Sequence, residues 1–168
     1  MQHSPSPGSS STLAAVAAVS GSSAWAVGYS DSSDGTTSKT LVEHWNGSSW
    51  QVQASPNPSV QYNFLCGAAA TSGTNAWTDG TYVQAGYQAP VTEHWNGRAW
   101  SVRASAYQPA GYEYDPCAMA APSASNIWAV GSHWYFNADR TLIEYWNGAT
   151  WKTQKSSRWR LATLTRTS

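Results

Sequence analysis

Apolar and polar positions alternate over short runs along this chain, and nowhere do they recur at helical spacing. In Thr40-Leu41-Val42-Glu43-His44-Trp45, residues 41, 43 and 45 share one face and 42 and 44 the other. That is the period-two pattern of a strand covered on one side. Three small-residue runs, at 14–18, 66–70 and 117–121, each start 11 residues before a Trp. The alternation therefore predicts four short strands per unit: a small-residue strand A, a Trp-led strand B, then strands C and D.

Self-comparison shows the unit three times. Trp45-Asn46-Gly47-Ser48-Ser49-Trp50 recurs as Trp95-Asn96-Gly97-Arg98-Ala99-Trp100 and as Trp146-Asn147-Gly148-Ala149-Thr150-Trp151, at spacings of 50 and 51. Upstream, Trp25-Ala26-Val27-Gly28 matches Trp77-Thr78-Asp79-Gly80 and Trp128-Ala129-Val130-Gly131, at 52 and 51. The Asn-Gly pair is expected to supply the positive φ angles of a hairpin. The two Trp residues around it should meet across the strands. Four strands in about 50 residues indicate a β-propeller blade. The chain is read as all-β, with a leader at 1–3, blades at 4–54, 55–104 and 105–155, and a basic tail at 156–168.

These units resemble bacterial propeller repeats of the kelch/galactose-oxidase-like type, in the form W-A-V-G…E-H-W-N-G-x-x-W. The resemblance covers residues 4–155. It implies the propeller fold, an extracellular or cell-surface setting in the parent family, and nothing specific about activity.

Composition adjusts this picture. Leu, Ile, Val and Phe together make only 20 of 168 residues, low enough to raise disorder, but 11 Trp, 9 Tyr and a zero formal charge argue against it. The core must rest on indoles and alanines. Bases concentrate at the end, with Lys152, Lys155, Arg158, Arg160 and Arg166 unopposed by any acid. The mildly acidic remainder does not suit a nucleic-acid binder. No run is long enough for a membrane span. Residues 13–19 resemble the apolar part of a secretory signal. Yet no Lys or Arg precedes them and the segment recurs downstream, so we read it as structure rather than a signal peptide.

Three blades are fewer than the four to eight of typical propellers, and they leave two apolar flanks in water. The expectation is a ring closed by a second copy, or by further blades of a longer chain. Glu43, Glu93 and Glu144 repeat at one strand position, which suits a structural hydrogen bond more than catalysis. His44 and His94 become Tyr145 in the third unit, which argues against a metal ring. Cys66 and Cys117 stand at one equivalent site near the axis on adjacent blades. They are read as free thiols filling small spaces, because a disulfide needs Cα atoms within about 7 Å and neighbouring inner strands are not expected to come that close. No metal or cofactor is expected.

The chemistry should lie on one loop face. The A–B and C–D turns are monotonous, whereas the B–C and D–A connections differ in every unit. These carry the expected ligand-binding set of Tyr62, Phe64, Tyr82, Tyr87, Tyr112, Tyr114, Asp115, Trp134, Tyr135, Phe136 and Asp139. Aromatic rings with a few acids on a rigid scaffold suit a binding or scaffolding module for a glycan or a protein surface. Two other readings stand beside it. One is part of a secreted carbohydrate-active enzyme, with Glu113, Asp115 and Asp139 as its acids. The other is a truncated propeller fragment without independent activity.

Overall fold

The structure, a computed structural model, describes residues 3–106, 114–135 and 138–155, with only the backbone of Tyr135. Twelve strands follow one another, with no helix among the described residues. The first blade holds β1 (Ser10–Ser20), β2 (Ser23–Asp31), β3 (Ser38–Trp45) and β4 (Trp50–Gln53). The second holds β5 (Asn63–Ser72), β6 (Asn75–Gln84), β7 (Tyr87–Trp95) and β8 (Trp100–Arg103). The third holds β9 (Tyr114–Ser123), β10 (Asn126–Tyr135), β11 (Ala138–Trp146) and β12 (Trp151–Thr153). Each blade is a four-stranded sheet in sequence order, and each pairing within it is antiparallel. The architecture is that of an all-β propeller with three blades.

The C–D turn differs from its expected geometry. Gly47, Gly97 and Gly148 have φ near +90°, but their Asn neighbours do not join them in the left-handed region. Each Asn instead accepts two backbone N–H groups through its Oδ1. Asn46 takes those of Ser48 and Ser49 at 3.0 Å, and Asn96 and Asn147 repeat the pattern. The Asn side chain thus caps a four-residue loop, and the glycine alone supplies the unusual backbone. On either side Trp45 faces Trp50, Trp95 faces Trp100 and Trp146 faces Trp151, with ring centroids about 6 Å apart.

The second and third of these pairs receive the strand-B Trp of the preceding blade. Trp25 lies 5.2 Å from both Trp95 and Trp100, edge-on to the latter. Trp77 lies 5.0 Å from Trp146 and 5.5 Å from Trp151 in the same arrangement. Around the first contact gather Val27, Val42, Leu65, Ala76 and Val91. Around the second gather Ala69, Ile127 and Ala129. The core is therefore two slabs between blades. His94 stacks on Trp77 and His44 lies tilted against Trp25, each at 4.2 Å, and Tyr145 covers Trp128 at 5.4 Å. Burial lowers both His pKa values, favouring the neutral rings that packing on an indole suits.

Equivalent positions on the outer flanks stay open. Trp25 and Trp77 are 2% exposed, but Trp128 is 36% exposed. Leu65 is 1% exposed, whereas its counterpart Leu13 reaches 43%. The same side chain in the same strand is buried only where another blade lies against it.

Each slab turns on one indole held between two others. Trp25→Ala and Trp77→Ala should each destabilise the fold by about 3–5 kcal/mol, the usual cost of emptying a large buried aromatic site. Urea denaturation followed by Trp fluorescence checks this.

Candidate functional site

The expected B–C loops prove to be strands in two of the three blades. In the second blade β6 and β7 run on until Gln84 pairs with Tyr87. Ala85 and Gly86, at φ +51° and +84°, close them. Positive φ at both central residues matches a right-twisted two-residue hairpin. In the third blade the pairing continues through Trp134–Asp139 to Tyr135–Ala138. Tyr82, Tyr87, Trp134, Tyr135 and Asp139 are thus strand residues on a raised ribbon, not loop residues. The extension is invisible to a repeat comparison because the first blade lacks it and turns through residues 32–37 instead.

Register places the polar groups. Ser132 faces Asp115, and Trp134 faces Asp139. Directly paired residues share a face, and so do residues two apart on one strand. Asp115, Ser132, Trp134 and Asp139 therefore project from one side of the third blade. With Gln88 and His133 they line an open groove of about 200 Å³. Trp134 is 42% exposed, and Asp115, Asp139 and Gln88 are exposed beside it. An open indole among acceptors and an amide can hold a small ring bearing hydroxyl groups.

The other expected residues divide. Tyr62 and Phe64 stack at 6.1 Å, and Tyr29 meets Phe64 edge-on at 4.8 Å. They form a second aromatic patch, in the seam between the first two blades. There Tyr62 is fixed by the Val83 N–H on its carbonyl and by a parallel bridge to Ser38. Asn63 clamps the seam, donating to the Ser38 and Ser59 carbonyls at 3.0 and 2.8 Å. Tyr82 is half-buried with its hydroxyl on Gln84, and Tyr87 is exposed. Tyr114 does not belong with them. It is 2% exposed and donates its hydroxyl to Glu144 at 2.7 Å. Position 114 begins strand β9, so its ring turns into the sheet. Tyr112, Phe136 and Glu113 lie outside the described residues.

The repeated glutamates are structural in two units and anomalous in the third. Glu43 accepts from Ser4 at 2.8 and 3.0 Å. Glu144 accepts from Ser105 at 2.9 and 3.1 Å as well as from Tyr114. Ser55 stands at the matching joint but meets the Thr40 hydroxyl at 2.7 Å instead. Among the described residues neither oxygen of Glu93 finds a hydrogen-bond partner, and burial pushes its pKa up to about 8. Asp79, where the other units carry Val27 and Val130, is 1% exposed. Burial, followed by the charge of Glu144, raises its pKa to about 7.

Cys66 and Cys117 come much closer than expected. Their Sγ atoms lie 2.7 Å apart across the seam between the second and third blades. Cys66 also donates to the Pro116 carbonyl at 2.6 Å, and Cys117 to Asp115 Oδ1 at 3.1 Å. Cys66, Cys117 and Asp115 present donor atoms within 4.8 Å of one another, a set that could hold a metal ion.

No protein-family model matches the chain, and no curated protein matches it. Among solved structures it is similar to a fucose lectin from Kordia zhangzhouensis, solved in complex with methyl-fucoside. The TM-score is 0.54 at 13% identity, over 86% of this chain and all of the lectin chain. At that identity the likeness concerns the fold.

Glu93 sets a pH dependence. Its folded pKa lies above the usual carboxylate value of 4.5. The folded state therefore holds an extra proton in that window, and stability falls as pH rises from about 4.5 to 8, by up to about 1.4 kcal/mol per pH unit per proton. Glu93→Gln should flatten this fall and raise the melting temperature at pH 8 by several degrees, with little change at pH 4. Asp79, raised by burial to about 7, adds a fall of the same sign over its own window. Thermal melts across pH, wild type against variant, measure it.

Proposed function

We propose that the chain is a non-catalytic module that binds a glycan in the groove beneath Trp134. The supporting observation is the shared face of Asp115, Ser132, Trp134 and Asp139, which sets an open indole among hydrogen-bonding groups. An indole offers its face to the C–H side of a sugar ring, and the acids and Gln88 accept from or donate to hydroxyls. The groove's volume suits one sugar ring rather than a large cofactor. Similarity in fold to a fucose lectin favours a carbohydrate over a protein ligand and makes methyl-fucoside the first probe. The Tyr29–Phe64–Tyr62 patch offers a second contact. Bacterial kelch-like ancestry and an extracellular or surface setting belong to the same proposal.

The open flanks favour a second part of this reading, in which two copies join head to tail into a six-bladed ring. Trp128 and Val130 on the third blade repeat Trp25 and Val27 of the first slab. Leu13, Val16 and Trp50 on the first blade repeat Leu65, Ala68 and Trp100. The two flanks are therefore the two halves of an interface that the chain already builds twice internally. Such a heterologous contact closes when the rotation per step completes a circle. Six wedges fall within the usual number for a propeller.

Calorimetry or a glycan array should detect binding that Trp134→Ala or Asp139→Asn weakens at least tenfold, while Val52→Ser, exposed on the edge strand of the first blade, leaves it intact. Retained affinity in Trp134→Ala would refute the site, and turnover of the bound glycan would favour the enzyme reading. For assembly, native mass spectrometry should find twice the chain mass, and Trp128→Glu should give monomer. A wild type that stays monomeric at micromolar concentration sinks the ring.

A further inference from the structure

We propose that Cys66 and Cys117 form a disulfide that staples the second blade to the third. The pair is built by repetition: both residues replace Ala14 of the first unit, near the start of strand A. Strand A of each blade lies against strand A of the next. Equivalent positions on β5 and β9 thus face each other across the seam. The Sγ–Sγ distance of 2.7 Å then decides between oxidation and metal binding. Two thiolates on a tetrahedral zinc, each about 2.3 Å from the metal, sit about 3.8 Å apart. Sulfurs in a disulfide sit about 2.0 Å apart. The observed separation is nearer the bond, and closing it asks less movement than opening it around an ion.

The two thiols differ in access. Cys117 is exposed and Cys66 is half-buried. Burial raises both pKa values, that of Cys117 to about 11 and that of Cys66 further. Both are therefore protonated near neutral pH, and Cys117 is the better placed to ionise and attack first. With oxidised glutathione as the oxidant, the Cys117 thiolate attacks one glutathione sulfur, forms a mixed disulfide and releases one glutathione thiol. The Cys66 thiolate then attacks Cys117 Sγ and expels the second glutathione thiol. Two cysteine hydrogens end on two glutathione molecules, and two electrons pass to the oxidant. The step also removes the S–H that Cys117 gives to Asp115, so the groove's wall changes with redox state.

A glutathione redox buffer at pH 8 tests the bond on the full chain. Oxidised wild type should lose the mass of two hydrogens, yield one crosslinked peptide containing both cysteines, and show no thiol to a colorimetric reagent after denaturation. Its melting temperature should rise by several degrees and fall back with dithiothreitol. Cys66→Ser should instead retain one glutathione on Cys117, which shows that the first attack occurs without its partner. Two titratable thiols remaining in the folded protein after equilibration would overturn the proposal. So would one equivalent of zinc, added to the reduced protein, binding tightly enough to prevent oxidation.

Discussion

Each seam between blades in this protein depends on an indole that its own sheet cannot bury. Trp25 and Trp77 leave their strands sideways and come to rest between two Trp residues of the next blade, with the second pair member edge-on. A four-stranded sheet built from Ala, Ser, Thr and Gly has little apolar area to give. The indoles are the largest apolar side chains in the slabs, and they are buried across seams rather than within sheets. The small residues of strand A follow from this. They let adjacent blades approach near the axis while the Trp residues fill the wider space outside.

The same geometry places the molecule's least repetitive chemistry at the seams. Three features lie on them: the Tyr29–Phe64–Tyr62 patch, the cysteine pair, and the groove that joins Gln88 of one blade to Asp115 and Trp134 of the next. Repetition gives each seam the same framework, and single substitutions give it different chemistry. Phe64 in the second blade corresponds to Asp115 in the third, so one position is an aromatic platform in one seam and an acid in the other. Asp79 replaces a buried valine and brings a raised pKa to the slab beside the cysteines. Glu93 retains the repeated glutamate after its Ser partner has turned to Thr40. Both acids cost stability when ionised, which ties the stability of the middle blade to pH.

Much of the architecture was legible because strand alternation and repeat spacing are local signals. The Trp–Asn–Gly–x–x–Trp turn announced its cross-strand indole pair, and the pair is there in all three units. The detail of that turn was not legible: nothing in the letters distinguishes an Asn with positive φ from an Asn that caps the loop with Oδ1. The raised hairpins were missed for a related reason. Gln84-Ala85-Gly86-Tyr87 reads as loop by comparison with the Ser-rich first unit, although its Gly marks a tight turn. Tyr114 looked like a surface aromatic because it stands in the variable D–A connection, but alternation on β9 sends it inward and Asp115 outward.

By itself, the sequence determined the strand count, the blade repeat and the dependence on tryptophan, because each is written in period and spacing. Tertiary structure alone decided which equivalent residues differ in environment. Trp77 and Trp128 carry the same local code, and only the presence of a neighbouring blade makes one buried and the other open. Cys66 and Cys117 are 51 residues apart in the chain. No local rule sets the distance between them, since it arises from the angle at which two wedges meet.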